Sequence, residues 1–305
     1  MITWRFVLFL ITNFAVLIVM SLVLGLLEAL GVVDLSTDTV FSVLVVGLVW
    51  GMTGAFVSLA LSKWAALRLT KAKAITAPAN PDEAWLKSTV ERLAGQAGIG
   101  MPDVAIYPSD EINAFSTGMY RDHALVAVSS RLMRDMNRQQ LQAVIGHEVS
   151  HIANGDMVTM TLLTGVLNAF IYFFSWLVSR GLGAVLNRVG RSIGAAIIVF
   201  LVVIFLQSAL GILATLIVMA HCRRRELRAD AGGAKLVGRN AMIDALKRLG
   251  TLEEGDAAGN KGTLPKPLQA FGVHDHSAEG ANRWFLSHPP LEERIAALQN
   301  FKQDL

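Results

Sequence analysis

The sequence predicts an α-helical integral membrane protein, four transmembrane helices carrying a soluble α+β part. Three observations carry this. The 305 residues are 53% hydrophobic and 17% charged, with a mean hydropathy of +0.48, where a soluble domain has about a quarter of its residues charged. Four apolar runs are each long enough to cross the bilayer, which takes about 20 residues. The remaining sequence is charged and alternates between helix and strand patterns.

The first run, Phe6 to Leu27, contains no charge. It follows Arg5 but exceeds the 7–15 residues or so of a signal core, and no small-residue cleavage site comes after it, so it reads as an uncleaved anchor. The second runs from about Thr39 to Ser62, the third from Met157 to Ser179 and the fourth from Ile193 to Ala220. The expected organisation is two N-terminal spans in residues 1–70, a first soluble segment in 71–156, a membrane hairpin in 157–220 and a second soluble segment in 221–305.

Basic residues orient the spans. None lies between the first two, where Glu28, Asp34 and Asp38 stand; Lys63, Arg68, Lys71 and Lys73 follow the second, and Arg223, Arg224, Arg225 and Arg228 the fourth. Both soluble segments are therefore expected in the cytoplasm, although Arg180, Arg188 and Arg191 lie on the opposite side. The net charge of +3 and pI near 9.1 are accounted for by these flanks, and no nucleic-acid partner is expected. The single cysteine, Cys222, excludes an internal disulfide framework.

In the first soluble segment, Asp82 to Ala97 has helical spacing and ends at Gly98. Val104–Tyr107, Ala114–Thr117 and Ala124–Val128 are strand candidates, and Ser129 or Ser130 can cap the segment after the last of them. Arg138 to Asn154 is helical, with Leu141, Ile145, Val149 and Ile152 on one stripe, and Asn154-Gly155-Asp156 interrupts it. The second segment opens with expected helices at Arg223–Leu236 and Ala241–Leu249. A Gly- and Pro-rich loop comes next over 253–280, then a last helix after Pro289-Pro290.

The chemistry sits in His147-Glu148-Val149-Ser150-His151, an H-E-x-x-H match on the Arg138–Asn154 helix. On a helix, residues i and i+4 share a face, so both imidazoles can reach one zinc ion while the intervening glutamate serves as general base. The spacing puts both histidines off the Leu141/Ile145/Ile152 stripe. A third ligand must come from elsewhere: Glu226, Asp230, Asp156, His221 or the His274/His276 pair. The membrane hairpin returns the chain to the same face, which favours Glu226 or Asp230. Glu226 as ligand with Asp230 accepting from a ligand imidazole is the sensible division; otherwise both pair with the neighbouring arginines. His221 reads as a helix-end cap and His123 as a turn residue.

HEVSHIANGD, RRRELRADAGGAKL, EINAFSTG and SHPPLEERI, in this layout around four apolar runs, closely resemble a family of membrane zinc metallopeptidases that includes bacterial heat-shock proteases and the CAAX prenyl endopeptidases. The resemblance covers nearly the whole chain. It implies a zincin-like catalytic domain of gluzincin type, with one Zn2+ held by His147, His151 and Glu226, Glu148 as general base and Asp230 behind the ligands. It also implies that Asn113 and Ala114 lie on an edge strand that pairs with an extended substrate, and that His288 and Arg294 point at the cleft and stabilise the oxyanion. The implied activity is endoproteolysis of misfolded or damaged membrane proteins at a bacterial inner membrane, as part of a stress response and beside other quality-control proteases. The alternatives are a prenyl-protein type enzyme, an intramembrane metalloprotease, for which polar Gln139, Gln140, Asn154 and Asp156 bracket the motif too closely, or a non-enzymatic membrane protein, for which Asn13, Asn168 and Gln207 supply no ionisable group inside a span.

Overall fold

In the computed structural model the described residues are 18–31, 39–189, 193–256 and 288–301. The start of the first apolar run, Asn13 within it, and the His274/His276 pair lie outside them. The helices are α1 (Ile18–Ala29), α2 (Val40–Thr70), α3 (Pro81–Ala97), α4 (Ser130–Asp135), α5 (Arg138–Asn154), α6 (Asp156–Val189), α7 (Ile193–Val237), α8 (Arg239–Asp256) and α9 (Leu291–Gln299). The strands are β1 (Lys73–Ala74), β2 (Asp103–Tyr107), β3 (Ala114–Thr117) and β4 (Leu125–Ser129). The chain forms two compact units, Met1–Ser58 with Thr159–Val218, and Leu59–Val158 with Met219–Leu305.

The first unit is helical. Among the described residues three helices, Val40–Thr70, Asp156–Leu186 and Ala196–Val237, are long and apolar enough to contain a membrane span; α1 is apolar but shorter in its described part. Small residues set the contact between α2 and α6. A Cβ on Gly51 would come within 2.5 Å of Gly165 O and 2.8 Å of Ala169 Cα, and one on Gly47 within 2.9 Å of Tyr172 Cδ1. Gly47 and Gly51 are four apart, as are Gly165 and Ala169, the spacing that lets two helices touch backbone to backbone in lipid.

The second unit is an α+β domain around a four-stranded sheet of order β1-β2-β4-β3. β2 and β4 are parallel, with Val104 opposite Val126, while β1 and β3 pair antiparallel at the two edges. Alternation along the strands separates two cores. One face carries Val104, Ala114, Val126 and Val128 onto α3, α5 and α8; the other sets Ala105, Tyr107, Phe115, Leu125 and Ala127 against Ala66 and Leu67 of α2. Each fully buried leucine or valine contributes about 1.5–3 kcal/mol of transfer free energy.

Local signals explain the helix limits. Asn80 caps α3 by accepting from Glu83 N, Pro81 occupies the first turn, and Gly98 (φ 69°) ends it. Asn137 and Gln140 form a reciprocal capping box on α5, and Gly155 (φ 68°) ends that helix one residue before α6 begins. The bend expected at Asn154-Gly155-Asp156 is thus a stop and restart. Ser129 caps α4, accepting from Leu132 N. The separate helix expected from Arg223 does not exist: α7 runs unbroken through 45 residues, because nothing between Ala220 and Arg223 breaks a helix. β1 has only two residues and no periodicity to betray it.

Adding a side chain at Gly51 should force α2 and α6 apart. Gly51→Val should lower stability by about 1–3 kcal/mol in detergent, read by thermal unfolding, whereas Gly54→Ala, with nothing within 4 Å of its Cβ position, should unfold like the parent.

Candidate metal centre

The H-E-x-x-H helix α5 and the C-terminal part of α7, beyond the apolar stretch that ends at Ala220, lie side by side because neither carries bulk where they meet. A Cβ on Gly233 would stand 3.1 Å from His147 N, and one on Gly232 would stand 2.6 Å from Ser150 Oγ. This close approach carries the acidic side chains of α7 to the histidines of α5. The Nε2 atoms of His147 and His151 are 3.1 Å apart; Glu226 Oε2 is 3.3 Å from the first and Glu226 Oε1 is 3.3 Å from the second. His147, His151 and Glu226 form a buried group able to hold a metal ion, the single such His/Cys/Asp/Glu group among the described residues.

Two features test whether a divalent cation fits. Tetrahedral ligands at about 2.0–2.1 Å from zinc stand about 3.3 Å from one another, which is the spacing of these three donors. The buried charge also needs it. Glu148, Asp156, Glu226 and Asp230 are buried carboxylates, and the buried guanidiniums are Arg225 and Arg294. Four negative groups against two guanidiniums leave an excess of negative charge in a desolvated site, which a proton on His147 offsets only in part in the metal-free protein and a divalent cation would pair. Glu226 Oε2, moreover, has no hydrogen bond.

Each imidazole is held from behind. His147 Nδ1 lies 2.9 Å from Asp230 Oδ1, and Arg294 grips that same carboxylate with Nε at 2.8 Å and Nη2 at 2.7 Å. His151 Nδ1 lies 2.7 Å from Asp156 Oδ2, with Arg228 at 3.5 Å from Oδ1. With carboxylates at both Nδ1 atoms, both rings present Nε2 to the centre. Asp156, a candidate third ligand by sequence, therefore stands behind His151 and not among the donors. Its position at the first residue after the helix-ending glycine was the available signal.

The histidine pair is not on a lightly packed face. His147 is 3% exposed, Glu148 2% and His151 4%, because α7 covers the side of α5 that the apolar stripe leaves open. Arg294, expected to point at the cleft, is buried against Asp230 instead. His288 Nδ1 lies 2.9 Å from Glu226 Oε2, and neither ring nitrogen makes a hydrogen bond. Asn113 and Ala114 lead into β3, an edge strand whose partner is β4. Asn113 O accepts from Ser129 N at 2.9 Å and from Tyr107 Oη at 3.4 Å. Burial and the charges of Glu111 and Glu148 push the Tyr107 hydroxyl above its ordinary value. His123 lies exposed in a 3-10 turn. His221 is on the continuous α7, so there is no helix end there for it to cap.

The site's field is set by these pairs. Burial would lower the pKa of His147, but the hydrogen bond to Asp230 and the negative charges of Asp230 and Glu226 overcome it and hold the ring at about 9 in the metal-free protein. Burial would raise Asp230, but Arg294 and then His147 hold it at about 2. Glu226 is likewise drawn well below the usual carboxylate range, against its burial, by His288, His151 and His147.

An HExxH helix meeting a buried glutamate, in an α+β domain whose chain also carries membrane-length apolar helices, defines a membrane-bound metalloprotease. The model of peptidase family M48 matches residues 80–302, and the chain belongs to that family. It is 47% identical over 300 residues to Protease HtpX of Alkalilimnicola ehrlichii and 48% identical over 295 residues to Protease HtpX of Xanthomonas campestris pv. campestris, covering 97% of each protein and of itself. The fold is similar to that of Ste24p in the crystal structure from S. mikatae, with a TM-score of 0.62 at 19% identity, over 94% of this chain and 62% of that one. The resemblance read from the four motifs is borne out.

Metal binding must displace the proton on His147. Affinity should therefore rise about tenfold per pH unit up to about pH 9 and then level, as measured by chelator competition. Folding stability should move oppositely. A raised histidine pKa stabilises the metal-free fold fully below pH 6.5, and this contribution is lost as pH rises through about 9, which thermal unfolding in excess chelator would register. Asp156→Asn should weaken metal binding by about 10–100-fold in the same chelator competition.

Proposed function

We propose that the protein is a zinc-dependent endopeptidase of the bacterial inner membrane that cleaves misfolded or damaged membrane proteins. In this reading four helices cross the bilayer, two within residues 1–70 and a hairpin within 157–220, and segments 71–156 and 221–305 build a gluzincin-type domain in the cytoplasm. The observation that carries it is the convergence of His147, His151 and Glu226 at tetrahedral spacing, in a chain nearly half identical to proteases named HtpX over almost its whole length.

His147, His151 and Glu226 hold one Zn2+, which when bound supplies Lewis acidity to a scissile carbonyl and to water. Glu148 takes the proton of the attacking water and delivers it to the leaving amine. Its burial keeps bulk solvent from competing for that proton. Asp230, clamped by Arg294, fixes the His147 ring; Arg294 acts through this carboxylate. His288, with neither ring nitrogen hydrogen-bonded, supplies the donor for the oxyanion of the tetrahedral stage. Asn113 and Ala114 open the edge strand β3, where an extended substrate adds its own main chain and is recognised by backbone hydrogen bonds. Such recognition suits unfolded segments of varied sequence. The lipid bilayer delivers embedded substrates to a site tethered beside it, and other quality-control proteases of the same membrane share them.

Purified protein should carry one zinc per chain and cleave an unfolded substrate such as casein. Glu148→Gln should keep the zinc and lose activity by 100-fold or more, at the lower end of the roughly 10²–10⁴-fold contribution of general acid–base catalysis. Parent-like cleavage by that variant would overturn the mechanism.

A further inference from the structure

The two oxygens of Glu226 do not share one environment. Oε1, 3.3 Å from His151 Nε2, receives the Nη2 donor of Arg225 at 3.2 Å, whereas Oε2, 3.3 Å from His147 Nε2 and 2.9 Å from His288 Nδ1, has no hydrogen bond. Arg225 stands in a run of three arginines on α7, and its neighbour Arg224 is exposed while Arg225 is 4% exposed. Burying a guanidinium is costly unless a carboxylate pairs with it, and its partner here is Glu226. Consecutive residues on a helix do not face each other, so this contact needs the long arginine side chain to reach back to the adjoining carboxylate.

We propose that Arg225 is a positioning residue for the metal, an inference that rests on the zinc reading above. By donating to Oε1 it would weaken that oxygen as a ligand and favour binding of the metal through Oε2. A one-oxygen ligand keeps the coordination number low and a position open for substrate, as catalytic sites require. The guanidinium also draws charge from the carboxylate, so the ion it holds remains a stronger Lewis acid. Without Arg225 both oxygens of Glu226 would be free to hold the metal, and the site would favour a higher coordination number.

The test uses the full chain in detergent, loaded with Co2+ as a visible probe, with the parent, R225M and R225K. The parent should bind one Co2+ with the strong visible absorption of a four-coordinate ion. R225M should bind Co2+ with that absorption reduced to about half or less, and its kcat should fall about 10–100-fold while KM changes little. R225K, which keeps the charge at a different reach, should recover part of both. Loss of Co2+ uptake by a folded R225M overturns the proposal, which has both oxygens of Glu226 free to bind in that variant. An R225M with the parent's spectrum and kcat overturns the proposal and leaves the protease reading standing; a parent that binds no Co2+ overturns that reading itself. Should R225M fail to fold by thermal unfolding, R225K decides: the parent's spectrum and kcat in R225K overturn the proposal, and a weakened spectrum with lowered kcat supports it.

Discussion

The arrangement depends on one contact, the meeting of α5 and α7 across Gly232 and Gly233. Two helices with ordinary side chains stand 8–10 Å apart, and the acidic residues of one would then not reach the histidines of the other. The glycines remove that spacer, and the gain is electrostatic. Carboxylates that would be hydrated on an isolated α7 are buried beside the two histidines, where their negative charge, in excess of the buried guanidiniums, favours a cation. The same contact explains why His147 and His151 are buried although the helical stripe leaves them aside.

Around the chamber the groups come in relays. Arg294 holds Asp230, which orients His147; Arg228 leans from the surface on Asp156, which orients His151; Arg225 takes one oxygen of Glu226. Each donor is therefore fixed by a charge-assisted hydrogen bond, and these bonds are roughly twice as strong as neutral ones. A site fixed in this way has little to reorganise when an ion arrives. The edge strand is supported similarly, with the hydroxyl of Tyr107 and the backbone of Ser129 on the carbonyl of Asn113.

What could be read from the sequence was local. The i, i+4 spacing of His147 and His151 needs only a helix, and Asn137, Gln140 and Gly155 mark the limits of that helix. The β3 and β4 strands show in Ala114–Thr117 and Ala124–Val128 because short apolar segments between turn residues have few other uses. What could not be read was tertiary. Arg294 looks like a helix residue free to face a cleft until Asp230 is found beside it. Asp156 looks like a possible ligand until the break at Gly155 sets its carboxylate at the far side of the His151 ring. The continuity of α7 is invisible to hydropathy, which registers the change from apolar to charged residues at Ala220 but not that the backbone carries on unchanged. The pairing of Arg225 with the adjoining glutamate runs against the usual facing of neighbours on a helix, so no spacing rule points to it.

The order of the donors along the chain has a consequence for biogenesis. The two imidazoles are synthesised first, the glutamate comes 75 residues after His151, beyond α6 and most of α7, and His288 and Arg294 come last of all. During translation and insertion the half-made chain has a histidine pair but no complete centre. A chain stopped before Glu226 lacks the third donor of the centre.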